Sequence, residues 1–135
     1  MIIVVDASVL GHWLLTTRQP PRLLVEQLTD GASMSGPHLI DAEVGHLLRR
    51  HTLAGNVSAA RARIALADFL ALPIYRYGHT ALLPRAFELR NNATVYDALY
   101  LALAEALRAP LLTRDRRLAR IPGVAARVEV VTDGA

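Results

Sequence analysis

Apolar and polar positions divide the 135-residue chain into short unbroken apolar runs separated by stretches of helical period. Ile2 to Val5 is a continuous β-branched run, the pattern of a strand buried on both faces of a parallel sheet. It ends at Asp6. Ser8 suits an N-cap for a short helix through Trp13, and Pro20-Pro21 opens a further segment that ends near Asp30-Gly31. Ala32 to Ser35 reads as a second strand, followed at once by Gly36-Pro37 and a helical pattern from Leu39 to His51 that Gly55 closes. Ser58 caps an Ala-rich helix to about Ala71, and Pro73 begins a brief strand at Ile74-Tyr75. Thr80 to Arg90 is helical again until Asn91-Asn92 breaks it, and Thr94 to Leu107 is a further helix. A turn over Arg108 to Pro110 leads into a strand, Ala109 to Thr113. A basic stretch, Arg114 to Arg120, and Pro122-Gly123 precede a last strand, Arg127 to Val131. Thr132 to Ala135 is expected to be a loose tail.

Strands that alternate with helices, with no repeats, linkers or low complexity, predict one α/β domain over residues 1–135 with a folded core over 1–131. The expected architecture is three-layered α/β/α: a mainly parallel central sheet of four to five strands, flanked by helices. The apolar start is read as structure rather than a signal peptide, because no basic n-region precedes it and Asp6 interrupts it. No stretch reaches the roughly 18 to 20 apolar residues of a membrane span, so a cytoplasmic protein with no membrane partner is expected.

Composition narrows the chemistry. All fifteen basic side chains are arginine, and there is no lysine or cysteine. A disulfide framework, a thiolate nucleophile and a Cys-rich zinc site are excluded, as are a Walker A loop and a Schiff-base enzyme. Fifteen arginines against twelve acids leave a net charge of +3, and the pI near 9.9 suits an anionic partner without naming one.

In an open α/β sheet ligands bind beyond the carboxyl ends of the strands. Four acids fall at such junctions: Asp6 after the first strand, Glu43 early in the helix after Pro37, Asp97 in the first turn after Thr94, and Asp115 after the Leu111-Leu112-Thr113 strand. Each also has a purely local reading. Asp6 suits an Asx turn, Asp97 the acidic end of a capping box, Glu43 a helix dipole, and Asp115 an ion pair with neighbouring arginines. Four carboxylates on one edge repel one another unless a cation compensates. With oxygen ligands and no clustered His pair, that cation is Mg²⁺, or Mn²⁺ as a substitute, rather than Zn²⁺.

The segments VVDASVL, PHLIDAEVGHLLRR, VYDALYLALAEAL and LLTRDRRL together resemble the PIN-domain nucleases, and the short chain resembles the VapC toxins of bacterial toxin–antitoxin pairs. The resemblance spans Ile2 to about Leu118. It implies a Mg²⁺-dependent endoribonuclease (a hydrolase of RNA phosphodiester bonds), usually homodimeric, held inactive by a VapB-type antitoxin that inserts a segment near the acidic site. Carried over by position, the family's acids match Asp6, Glu43, Asp97 and Asp115. Asp6 and Asp97 would bind the metal directly or through water, and Glu43 and Asp115 through water or a second ion. Ser8 and Thr113 match the accompanying hydroxyls. Where many relatives place an asparagine three residues after the glutamate, this chain has His46.

RNA is then expected to approach over Arg114, Arg116, Arg117 and Arg120, whose planar guanidinium groups suit bidentate phosphate contact; a solvated helix face is the competing reading. A mean hydropathy of +0.28 fits an apolar patch for self-association. A haloacid-dehalogenase-type phosphatase would need an Asp where Ser8 stands, and a receiver domain would need a strand-end lysine. The alternative retained is a catalytically silent PIN-like module that binds RNA or protein.

Overall fold

Ile3, Val4 and Val5 are fully buried at the centre of a parallel sheet, as the unbroken β-branched run requires. The computed structural model describes residues 1–132, apart from the Thr17 side chain. Its strands are β1 (Ile2–Val5), β2 (Ser33–Pro37), β3 (Ile74–Tyr77), β4 (Leu111–Thr113) and β5 (Val128–Val130), in the order β3-β2-β1-β4-β5. Every neighbouring pair is parallel, with Val4 opposite Ser35 on one side and Leu111 on the other. Among the described residues there are six α-helices: α1 (Ala7–Gly11), α2 (Arg22–Thr29), α3 (Leu39–Leu53), α4 (Ala59–Ala71), α5 (Leu83–Glu88) and α6 (Val95–Leu107). The chain thus forms the expected three-layer α/β/α fold, with the upper of the two expected strand numbers.

Helix α6 is buried continuously from Ala98 to Leu101 and on to Ala104. It lies on β1, β2 and β4, while α5 packs against it from outside. A helix covered on both sides must be apolar all round, which explains its Ala- and Leu-rich sequence. Helices α1 and α3 pack on each other and reach β4 and β2 respectively. Each large apolar side chain fully buried between these layers stabilises the fold by about 1.5–3 kcal/mol relative to exposure.

Several local expectations are corrected. The N-cap of α1 is Asp6, not Ser8, because the strand-end carboxylate already accepts the Ser8 and Val9 N–H groups. The helix does not stop at Trp13; a π-helical turn carries it from His12 to Thr17, and Arg18 ends it in the left-handed region at φ 58°. Strand β2 runs through Gly36 and Pro37, opposite Arg76 and Tyr77, so β3 is also longer than expected. Pro37 is tolerated because the pairing of β2 with β1 ends at Ser35, so its missing N–H breaks no bond in that register. The helix expected over Thr80 to Arg90 shrinks to Leu83–Glu88, since Pro84 fits only within the first turn. The basic stretch is a 3₁₀ turn, Arg116–Arg120, capped by Asp115. The expected loose tail lies, from residue 133 onward, outside the described residues.

Candidate active site

From β1 the chain builds β2 and β3 on one side, then crosses over to build β4 and β5 on the other. The order therefore reverses between β1 and β4, and a crevice opens there at the carboxyl ends of the strands. Asp6 stands at its base, 7% exposed, directly after β1 and opposite the end of β4. One carboxylate oxygen, Oδ1, accepts from the Ser8 hydroxyl at 2.5 Å and from the Ser8 and Val9 N–H groups at 3.1 and 3.3 Å. The other, Oδ2, accepts from the Thr113 hydroxyl. Each hydroxyl in turn accepts a backbone N–H from the loop after β4: Ser8 from Arg114, and Thr113 from Asp115, both at 3.0 Å. This network fixes the carboxylate and locks the exit of β1 to that of β4.

The other acids arrive on helices. Glu43 lies in the second turn of α3, half-buried, and its Oε1 accepts the Tyr100 hydroxyl of α6 at 2.6 Å. Asp97 lies in the first turn of α6, where its N–H donates to the capping Thr94 hydroxyl at 3.1 Å. Asp115 follows β4 and is held by Arg117 in a fork, with Nη2 to Oδ2 at 2.6 Å and Nε to Oδ1 at 3.1 Å.

The four acids sense one another in series. Burial pushes the Asp6 carboxyl up to about 6 against its hydrogen bonds, and the Glu43 charge adds to the rise. Burial also raises Glu43, helped by Asp97 and opposed by the Tyr100 hydrogen bond. Asp97 is raised by burial and by Asp115, and lowered by the charge of Arg117. Asp115 alone is lowered, by its hydrogen bond from Arg117. Three desolvated, mutually repelling carboxylates are the donor chemistry that suits a hard divalent cation. Among the described residues, however, no three Asp, Glu or His side chains converge into a ready-made ligand set. The residues fit an ion that keeps much of its own water and takes one or two carboxylates, as Mg²⁺ does.

Cavities flank the acids on both sides. One of about 570 Å³ is lined by Ser8, Glu43, His46, Arg50 and Tyr96, and another of about 430 Å³ by Arg90, Asn92, Asp97 and Arg117. A larger cavity of about 870 Å³ lies at the opposite edge, around Met1, Ala109 and Arg127. Its carboxylate, Glu105, is already satisfied by Arg85 and the Ala125 N–H, so size does not locate the chemistry here.

The model of the PIN domain family matches residues 3–124. The chain belongs to the PIN-domain family. Ribonuclease VapC1 of Mycobacterium tuberculosis is 42% identical over 129 residues, covering 95% of this chain and 96% of its own length. Ribonuclease VapC12 of the same organism is 35% identical, covering 96% of this chain and 99% of its own. In three dimensions the chain is similar to a chain in the crystal structure of VapBC2 from Rickettsia felis bound to a DNA fragment from their promoter. The TM-score is 0.72 at 17% identity, over 98% of this chain and 100% of that one.

This PIN domain places Asp6, Glu43, Asp97 and Asp115 at the carboxyl edge of the sheet, with Ser8 and Thr113 joined directly to Asp6. Arg116, Arg117 and Arg120 are exposed beside Asp115, Arg114 is half-buried, and Arg117 is shared with that acid. His46 is exposed and one turn beyond Glu43, on the cavity side of α3. Sequence reasoning misses Tyr100. A signal for it exists: three residues after Asp97, it shares that acid's face of the helix.

Proposed function

We propose that this chain is a Mg²⁺-dependent endoribonuclease that hydrolyses RNA phosphodiester bonds and serves as the toxin of a VapBC toxin–antitoxin pair. The observation that carries the reading is the Asp6 network, in which a buried carboxylate is held by Ser8 and Thr113 at the topological switch point within electrostatic reach of Glu43. The curated relatives named ribonucleases, which align over nearly the whole chain, support the activity.

Asp6 and Asp97 would hold the ion, directly or through water, with Glu43 and Asp115 completing the shell or taking part in a second site. When bound, Mg²⁺ or Mn²⁺ supplies charge neutralisation on the phosphoryl oxygens and lowers the pKa of water. The chain's own residues do the rest. Ser8 and Thr113 keep Asp6 in one orientation. Glu43, raised by burial and held by Tyr100, would accept a proton from the attacking water as the P–O bond to the departing oxygen breaks, that oxygen taking its proton from solvent. Arg116 and Arg120, with Arg114 and Arg117, draw the RNA backbone to the edge where the acids lie.

A VapB-type antitoxin would neutralise the chain, and a second copy would form the homodimer. Leu66 and Leu70, exposed one turn apart on α4, offer apolar surface of the kind such partners need. We assign its action to the cytoplasm, where its RNA substrate is found. A second reading, a catalytically silent module, is favoured by two observations: Asp115 is engaged by Arg117, and among the described residues no three metal-ligating side chains converge. One assay separates the two. The purified chain should cut RNA with Mg²⁺, stop with a chelator, and lose cleavage in Asp6→Asn. Metal-independent cleavage, or equal cutting by the variant, rejects the enzyme reading in this form.

A further inference from the structure

The cavity of about 570 Å³ beside Glu43 falls within the volume range of small-ligand sites, roughly 300–1,000 Å³. One wall is a stripe of α3 in which Glu43, His46 and Arg50 share a face, at spacings of three and seven residues. Tyr96, from the first turn of α6, also lines it. Tyr96 is 63% exposed in the first turn of α6, ahead of the span Ala98 to Ala104 that is buried, and it immediately precedes Asp97. Among the described residues the side chains of Tyr96, His46 and Arg50 carry no hydrogen bond or ion pair, whereas Tyr100 one turn later is fully engaged with Glu43. Nothing in the fold requires an aromatic ring here. An exposed Tyr costs little conformational entropy on binding and offers a flat apolar face.

We propose that this cavity is a nucleotide subsite: Tyr96 stacks on one unpaired base next to the cleaved bond, Arg50 binds a neighbouring phosphate, and His46 contacts the nucleotide edge. The inference rests on the ribonuclease reading above and adds to it the residues of this chain that seat one nucleotide beside the acids. Stacking on an aromatic side chain accepts any base, so the pocket sets the register of the strand on the acids and favours loops over duplex. Arg50 lies about two helical turns from Glu43, near 10 Å along the axis, a distance that suits a phosphate beyond the one attacked.

The test uses a short unstructured RNA oligonucleotide and a set in which each nucleotide in turn is replaced by an abasic ribose. The parent should cut the intact RNA with Mg²⁺ and show a raised KM at one abasic position beside the cut. Tyr96→Ala should raise KM by about 5- to 100-fold on intact RNA with kcat little changed, and lose its sensitivity to that abasic position. Tyr96→Phe should restore both. Arg50→Ala should make the dependence of log affinity on log salt shallower by about 0.7, the effect of one lost phosphate contact on a single strand. If the parent cuts but Tyr96→Ala has the parent's KM and abasic profile, the subsite is overturned while the ribonuclease reading stands. The subsite is equally overturned if Tyr96→Ala changes only inhibition by the antitoxin. If the parent cuts no RNA, both fall together.

Discussion

The Tyr100 hydroxyl donates to Glu43 Oε1 at 2.6 Å, joining the middle of α6 to the second turn of α3 across the acidic crevice. Both groups are affected: burial and this hydrogen bond raise the phenol strongly, so it remains a donor at any physiological pH. The bond opposes the desolvation that would otherwise push Glu43 higher still. Tyr100→Phe keeps the ring and its packing but leaves a half-buried carboxylate short of one donor. A bond to a charged acceptor contributes about 1.5–3 kcal/mol, so the variant should lose stability of that order in urea denaturation at neutral pH. RNA cleavage should fall and its rise with pH should move to higher pH, because Glu43 then binds its proton more tightly. An unchanged pH profile would show that Glu43 does not depend on Tyr100.

The Ser8 and Thr113 hydroxyls each donate to Asp6 and each accept an N–H from the loop after β4. Removing either breaks two bonds at once. Thr113→Val is nearly isosteric and should cost about 2–3 kcal/mol, since it strips a donor from buried Asp6 and an acceptor from Asp115 N–H. Ser8→Ala, less buried, should cost less. If the hydroxyls position Asp6, both variants should need more Mg²⁺ for half-maximal cleavage than the parent. Variants with lower stability but an unchanged Mg²⁺ requirement would assign the hydroxyls to the fold alone.

Arg117, one of the arginines expected to serve RNA, has a second task in the structure. It forks onto Asp115 and lowers that carboxyl, and its charge also lowers Asp97. Arg117→Ala should therefore weaken RNA binding, with a salt slope shallower by about 0.7. At the same time it frees Asp115 and leaves the crevice more negative, so divalent affinity should rise. The pair is exposed, and such pairs contribute little to stability. Anisotropy with labelled RNA across a salt series, and a Mn²⁺ titration of the protein alone, read the two effects separately. Loss of both affinities would contradict this division.

The strands buried on both faces were legible because parallel sheets carry near-continuous apolar runs, as in Ile2 to Val5 and in Leu111 and Leu112. The order of those strands placed the acids on one edge without any knowledge of side-chain contacts. Local pattern failed where a tertiary partner decided the outcome. Gly36 and Pro37 look like a turn signal, yet pairing with Arg76 and Tyr77 keeps them in the sheet. Ser8 looks like a cap, but Asp6 reaches the free N–H groups first, and Ser8 turns its hydroxyl to Asp6. The fork between Arg117 and Asp115 is one of the local readings open for that acid from its neighbours alone. The bond between Tyr100 and Glu43 joins residues 57 apart in sequence; the spacing from Asp97 puts Tyr100 on the acid's face of α6 but does not name Glu43 as its partner.

Asp6 makes the sharpest link between stability and function. Its carboxyl is pushed up to about 6 from an ordinary value of 3.8, with burial as the largest cause. Folding therefore favours the protonated acid. In the presence of a chelator, stability should be higher below the unfolded value and fall as pH rises from about 4 to about 6, by about 3 kcal/mol for this group alone. Above that window the cost of burying the anion is complete. Asp6→Asn removes the titration while keeping a side chain that caps a helix as well as aspartate does. The variant should be inactive, yet more stable than the metal-free parent at pH 7.5 by about 1–3 kcal/mol, with the gain vanishing near pH 4. Adding Mg²⁺ should stabilise the parent more than the variant, because the variant keeps Asp97 but lacks the Asp6 carboxylate that shares the ion. Urea midpoints at pH 7.5 and pH 4, with and without Mg²⁺, measure all of this. A variant less stable than the parent at pH 7.5 would mean that the hydrogen bonds from Ser8 and Thr113 outweigh the desolvation of Asp6, and that the fold does not hold this carboxylate at a cost.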